Sequence, residues 1–287
     1  MPIPKLPERA DDCHKHDFGH ALILGGRRGM TGAAILAGQS ALRVGAGLVT
    51  IATPKQCQMI AAAACPVAMT IGLPWKQNVS RLRHKLFEGR HSKCVLAVGP
   101  GLGRRPNIDE LVVDLFQNWK NSMIVDADAL NVLAENLSVF EQPSRKVEST
   151  CPAARILTPH PGEWSRICHV PASQRESQVA AAREFAKRHQ CILVLKGAKT
   201  FITDGCTDYV NQTGNSSLAV GGSGDCLTGI ITGLVCQGLA AIDAAILGVY
   251  LHGLAADLAH AELGTPSTLA TDLLHFLPAA MKSHAAT

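Results

Sequence analysis

Short apolar runs alternate with longer segments of helical spacing along most of the chain. Residues 20–26 (HALILGG) are apolar and end in glycines, and residues 27–47 then carry Ala and Leu at helical spacing, which predicts a strand, a glycine loop and a helix. Residues 47–53 (GLVTIAT) are β-branched and apolar and read as the next strand, with an alanine-rich helix at 58–64 and a further strand at 67–71. Residues 93–103 (KCVLAVGPGLG) predict a strand running into a second glycine loop, followed by an amphipathic helix at 108–119. The segment 122–135 (SMIVDADALNVLAE) reads as a strand ending at Asp126 and then a helix.

A polar interval at 141–153 predicts a surface loop before the strand at 155–158 and the turn TPHPGE at 158–163. A helix at 178–189 leads into a strand at 191–197. The runs KTFITDG and DYVN predict a hairpin turned at Asp204 and Gly205. Long helices at 240–260 and 269–284 finish the chain. Strands alternating with helices predict an α/β fold with a mostly parallel central sheet covered on both faces, whose ligands sit beyond the carboxyl ends of the strands. The glycine loops all follow strands, so they converge on one rim. With 47% hydrophobic residues and no internal linker, the 287 residues are expected to form one domain, with 1–17 as an extended lead-in.

Composition narrows the function. The net charge of +4 is mild and Lys and Arg are scattered, which points to small anionic ligands and gives no indication of a nucleic-acid surface. The first sixteen residues contain no apolar core of a signal sequence, so a cytoplasmic location is expected. Ten cysteines are spread singly without a CxxC pair, against a structural zinc site, and most are expected to be small buried hydrophobes. The uncharged run 226–242 contains Thr228, Thr232, Gln237 and glycines and reads as a buried core helix rather than a membrane span.

Candidate chemistry concentrates at 211–233, around GGSGD at 221–225. Glycines around one serine permit tight turns, and the apolar run from Cys226 predicts a helix beginning there, with Asp225 at its N-terminus. Free amides of such a turn, together with the helix dipole, form an anion site, here assigned to Gly222, Ser223 and Gly224. Asp225 is then either a helix cap or a catalytic base beside a phosphate cradle. Other segments also have two readings. GPGLG resembles half of a dinucleotide fingerprint, but Pro100 stiffens the turn and Arg104, Arg105 and Pro106 intervene where the helix should begin. Asp126 and Asp128 flank a strand end and suit Mg²⁺, directly or through water, or simply a helix cap. KGAKT at 196–200 offers a cation, an unobstructed backbone and a hydroxyl for diphosphate or ribose, or forms a plain turn. His160 is placed to orient a polar substrate and Glu163 to reach a metal-bound water, against a satisfied histidine and an ordinary first-turn glutamate. Thr31, Gly32 and 41–47 (ALRVGAG) form a small-residue wall beside the first loop that packing alone can explain.

In order, GMTGAA, ALRVGAGLVT, VGPGLG, VDADALN, TPHPGE, KGAKT, TGN and GGSGD resemble the NAD(P)H-hydrate dehydratase family of the ribokinase-like superfamily over 20–260. The resemblance implies a ribokinase-like fold and ADP-dependent repair of the S epimer of hydrated NADH or NADPH. It assigns Lys196, Gly197, Ala198, Lys199, Thr200 and Gly224 to the nucleotide, and Ala41, Gly103, His160 and Asp225 to the hydrate. It further implies Mg²⁺ carried by ADP, with no direct protein ligand and Glu163 or Asp126 acting through water, a homotetramer, and an epimerase on a separate polypeptide. Two departures are visible: His16 stands where the family has glycine, and Ser216 and Ser217 replace Pro-Gly after TGN. The rival functions are a vitamin or sugar kinase of the same superfamily and a nucleotide sensor without turnover. His160 stands where related kinases have asparagine, and a sensor has no need of Asp225.

Overall fold

A computed structural model describes residues 2–87, 94–141 and 153–286. The described strands are β1 (His20–Leu24), β2 (Leu48–Pro54), β3 (Met69–Leu73), β4 (Val95–Val98), β5 (Met123–Val125), β6 (Arg155–Leu157), β7 (Ile192–Leu195), β8 (Phe201–Thr203) and β9 (Asp208–Val210). They form one nine-stranded sheet in the order β3-β2-β1-β4-β5-β6-β7-β8-β9. Pairing is parallel from β3 through β7 and antiparallel at β7–β8 and β8–β9. The last two strands are the expected hairpin, whose turn is set by the Asp204 carboxylate accepting from the amides of Cys206 and Thr207.

The parallel strands are predominantly apolar because both faces are covered. In β1, Ala21 and Ile23 belong to one core while Leu22 and Leu24 belong to the other. Ile192 and Val194 of β7 divide from Leu193 and Leu195 in the same way. The first core lies under α1 (Thr31–Arg43), α2 (Gln58–Ala64), α8 (Ser223–Cys236), α9 (Ala241–Leu263) and α10 (Ala270–Ala285). The second lies under α3 (Val79–Phe87), α4 (Pro106–Asn118), α5 (Ala127–Glu135), α6 (Pro161–Cys168) and α7 (Arg175–His189). Each fully buried Leu or Ile contributes about 1.5–3 kcal/mol, so the two layers make the sheet a rigid platform.

Several expectations shift. The strand expected at 67–71 runs from Met69 to Leu73, and α3 went unread because its polar residues (SRLRHK) hide a buried pair, Leu82 and Leu86. Pro106 opens α4, since proline at a first helical position forfeits no hydrogen bond. The uncharged run 226–242 is two elements: α8 ends at Cys236, and α9 begins at Ala241. Helix α9 is long and apolar enough to cross a membrane, but most of that stretch is buried inside the protein. The polar interval lies almost wholly outside the described residues. Six of the nine described cysteines are buried, as expected of small hydrophobes.

Helix α8 crosses the sheet tightly against α1. A Cβ at Gly229 would overlap the Ala37 carbonyl, and one at Gly233 would crowd Ala41. This close approach brings the start of α8 to the carboxyl ends of the central strands. The strand order reverses at β1, with β2 on one side and β4 on the other, so the loops that follow β1 and β4 meet at the switch point, where ligands of parallel sheets commonly bind.

Candidate active site

The loops after β1 and β4 are joined by backbone bonds, Gly26 N–H to Pro100 O at 2.9 Å and Arg27 N–H to Gly101 O at 2.7 Å. The glycines of GPGLG therefore serve loop-to-loop contact. Arg104 and Arg105 stand between this loop and α4 as expected, whereas Pro106, expected to intervene with them, is the first residue of the helix.

At the end of β5, Asp126 is buried and both its oxygens are engaged. Lys196 Nζ donates to Oδ1 at 2.9 Å and Thr228 Oγ1 donates to Oδ2 at 2.8 Å. Lys196 is also 3.9 Å from Glu163 Oε2. Burial disfavours the Lys196 charge, but Asp126 and Glu163 outweigh it and hold the ammonium above its ordinary pKa. Lys196 is thus a cation paired within an acidic cluster, and it also lines the adjoining cavity. Ala127, next to Asp126, sits at φ 49°, a strained left-handed conformation for a residue with a Cβ. Asp128 accepts the Gly103 N–H at 2.7 Å. Neither aspartate caps α5 through its side chain, which removes the cap reading.

Helix α8 begins at Ser223, three residues before the expected start, with Gly222 at its N-cap in a left-handed conformation (φ 95°). Asp225 is therefore in the first turn and caps nothing. Its carboxylate accepts no hydrogen bond among the described residues, and burial, then the nearby charges of Asp126 and Asp128, push its pKa up to about 7 against the pull of Lys196. Of the three residues assigned to the anion site, Ser223 needs correction. Its N–H turns back to Val220 O at 3.3 Å, and its hydroxyl and carbonyl meet His252 Nε2 at 3.2 and 3.0 Å. The N–H groups of Gly224 and Asp225 have no acceptor among the described residues.

His160 is the N-cap of α6. Its Nδ1 accepts from the amides of Gly162 and Glu163, while Glu163 Oε2 accepts the His160 N–H at 2.9 Å, a reciprocal capping box. Burial, then the Lys196 and Arg166 charges, lower the His160 pKa, so its ring is neutral and an acceptor at Nδ1. Burial raises Glu163, with Asp126 adding and Lys196 opposing. Both residues keep a structural role, and the half-exposed His160 ring also faces the cavity.

That cavity, about 560 Å³, lies between the β7–β8 turn, residues 211–220 and the start of α8. Gly197, Ala198, Thr200 and Gly224 line it together with Lys196. Lys199 does not line it and is exposed. Ala41 is fully buried where α1 packs on α8, in keeping with the packing explanation of its segment. Gly103 is half-buried, is not among the residues lining this cavity, and lies against the side chain of Arg27.

Four residues escaped sequence reading. Arg175 from α7 donates to the carbonyls of Leu195, Lys196 and Lys199 and shapes the KGAKT turn. Asp257 of α9 accepts from Gly214 N–H and Asn215 Nδ2, both at 2.8 Å, and fixes the cavity wall. Asn215 in turn accepts from Ser217 N–H and Oγ, so Ser216 and Ser217 after TGN build a capped turn in place of Pro-Gly. His252, buried and pushed down to about 4 by desolvation, and Thr228 are the other two. The latter pair carry one legible signal, a polar residue within a largely apolar helix.

The arrangement offers a carboxyl group poised to change protonation near neutral pH, free helix amides beside it and an adjoining cavity with polar and apolar walls. Among the described residues no group of three or more His, Cys, Asp or Glu is placed to hold a metal ion.

Comparison with known proteins agrees with this geometry. A family model described as NAD(P)H-hydrate dehydratase matches residues 21–279. The bifunctional NAD(P)H-hydrate repair enzyme of Moorella thermoacetica is 41% identical over 97% of this chain and 52% of its own length. The chain thus spans about half the length of such bifunctional relatives. The ADP-dependent (S)-NAD(P)H-hydrate dehydratase of Bacillus subtilis is 34% identical over 96% of this chain and 94% of its own. A crystal structure of the Bacillus subtilis enzyme, co-crystallised with ATP and Mg²⁺, superposes with a TM-score of 0.82 at 33% identity, covering 98% of this chain and 95% of that one. A ribokinase-like superfamily protein from Enterococcus faecalis matches with a TM-score of 0.81 at 28% identity, covering 98% of this chain and 93% of that one.

Proposed function

The chain belongs to the NAD(P)H-hydrate dehydratase family, and from that premise we propose that it dehydrates the S epimer of hydrated NADH or NADPH at the expense of ADP, giving AMP and phosphate. The observation that carries the reading is Asp225, an uncapped carboxylate held near pKa 7 beside the free amides of α8. A hydroxyl on the hydrated ring is a poor leaving group, whereas its phosphate ester departs readily. Asp225 accepts the hydroxyl proton as the β-phosphoryl group of ADP moves to that oxygen and AMP is released. The amides of Gly224 and Asp225, with the α8 dipole, stabilise the charge developing on the phosphoryl oxygens. The ring nitrogen's electron pair then expels phosphate, and loss of the adjacent ring proton restores the dihydropyridine. A pKa near neutrality leaves a large fraction of Asp225 ionised while keeping it basic.

The carboxylates suit an Mg²⁺ that arrives on the nucleotide and keeps its waters: both Asp126 oxygens are occupied by Lys196 and Thr228, so it and Glu163 would be reached through water. When bound, the ion supplies neutralisation of the nucleotide phosphates. We place the nucleotide in the 560 Å³ cavity against Lys196, Gly197, Ala198, Thr200 and Gly224, and the hydrate between His160, Asp225 and Gly103. The proposal includes a cytoplasmic homotetramer. The exposed Met59, Ile60, Val67 and Met69 support self-association. Product analysis tests the reaction: the dehydratase yields AMP, phosphate and reduced cofactor in equal amounts, whereas a kinase accumulates a phosphorylated acceptor.

Two substitutions separate the subsites. A side chain at Gly197 would meet the Arg175 guanidinium that clamps the turn, with its first carbon 3.4 Å away. Gly197→Val should therefore raise the nucleotide KM by about tenfold or more with little change in the hydrate KM; equal effects on both would remove the assignment. Asn caps helices as well as any residue, so His160→Asn should melt within about 1 kcal/mol of wild type. Its hydrate affinity should fall while nucleotide affinity is kept, and titration of each ligand checks this. Unchanged hydrate affinity would leave His160 as a cap alone.

A further inference from the structure

The centre of the site is acidic. Asp126, Glu163 and Asp225 face one internal cation, Lys196, which is already paired with Asp126, and Asp128 lies close enough to act on Asp225. On the functional reading above, the second substrate is itself an anion, a dinucleotide carrying a diphosphate and, for the NADPH form, a further phosphate. Its reacting ring must approach Asp225, yet its phosphates are repelled by the carboxylates there and need cations farther out. The rim formed by the loops after β1 and β4 supplies a place for them, because ligands of parallel sheets bind where the strand order reverses.

One cation stands exposed on that rim. Arg27 lies in the loop after β1, which is fixed in place by Arg27 N–H to Gly101 O, Gly26 N–H to Pro100 O and Met30 N–H to Arg27 O. Its side chain lies directly over Gly103, where a Cβ would overlap Arg27 Cδ. Gly103 is in turn bonded to Asp128, one of the charges that raises Asp225, so Arg27 stands two contacts from a carboxylate that acts on Asp225. Among the described residues no carboxylate pairs with Arg27; its guanidinium makes only a long 3.4 Å bond to Arg28 O. Nearby Arg104 differs, being neutralised by Asp109 and Glu135. The lack of a side chain at Gly103 also leaves the Arg27 stem lying flat against the loop, a fixed approach that a free surface arginine lacks.

We propose that Arg27 is a specificity-determining residue that binds the phosphate groups of the hydrated dinucleotide, holding it across the Gly103 loop with its ring towards Asp225. The proposal rests on the dehydratase reading, and the test keeps the two apart. Arg27→Gln and Arg27→Lys are compared with wild type in steady-state turnover of NADH hydrate and NADPH hydrate, each with ADP varied separately. Expected for Arg27→Gln is a tenfold or greater rise in the hydrate KM, with kcat within about twofold and the ADP KM unchanged. Added salt should weaken wild type more than the variant, and Arg27→Lys should recover part of the loss. An equal rise for both hydrates places Arg27 on the diphosphate, and a rise for NADPH hydrate alone places it on the third phosphate. An unchanged hydrate KM, or an ADP KM that rises in step, would overturn the proposal. Wild-type protein that turns over neither hydrate would instead overturn the dehydratase reading.

Discussion

Asp225→Asn should lose activity and gain stability. Turnover of the hydrate with ADP is expected to fall by roughly a hundredfold or more, because the amide cannot accept the hydroxyl proton, while nucleotide still binds. Stability should move the other way, since the pKa rises from 3.8 to about 7 on folding. With a raised folded-state pKa, the native protein holds a proton that the unfolded chain has released. Stability therefore falls as pH rises from about 4 to about 7, and the cost is fully present above that range. Asparagine removes it, so the variant should be more stable at pH 8 by at most about 4 kcal/mol, a gap that closes as pH falls towards 4. The wild-type kcat/KM should lose activity below about pH 7, as Asp225 becomes protonated. Thermal or urea melts at pH 8 and pH 4, with pH–rate profiles, check each part. A variant with normal turnover would remove Asp225 from the chemistry.

Lys196→Met should damage both fold and function. It leaves Asp126, only 2% exposed, without its ammonium partner, and breaking a buried pair from one side costs about 3–5 kcal/mol. Lys196 also pulls the Asp225 pKa down, so its loss should drive that pKa above about 7 and move the acid side of the pH–rate profile to higher pH. A removed phosphate contact alone would raise the nucleotide KM without moving the profile. Urea denaturation and the pH profile distinguish the two, and a loss under about 1 kcal/mol with an unmoved profile would contradict the buried-cluster account.

Sequence reading reached the sheet, the glycine loops on one rim and the proximity of GGSGD, KGAKT and TPHPGE, because those features follow from apolar periodicity and glycine placement. It could not separate roles that depend on three-dimensional partners. Lys196 looks like an exposed cation in KGAKT, but Asp126, seventy residues away, pairs with it and Glu163 lies close by. Ala41 sits in a conspicuous small-residue run, but the smallness serves the contact of α1 with Gly233 of α8. Asp225 could be read as a cap because Asp commonly caps helices, until Gly222 is seen to occupy that position. Arg175 and Asp257, which shape the cavity from behind, act on backbone groups and leave no local motif.

The central claim is that this site turns hydrated nicotinamide cofactor back into its reduced form by way of a nucleotide phosphoryl group. Its most direct measurement is to incubate the protein with hydrated NADH, with and without ADP, and follow the absorbance of the dihydronicotinamide. The account predicts that absorbance returns only when ADP is present, with AMP formed in step, and that the Asp225→Asn variant gives almost none. Return of absorbance without nucleotide, or consumption of ADP without it, would contradict the account.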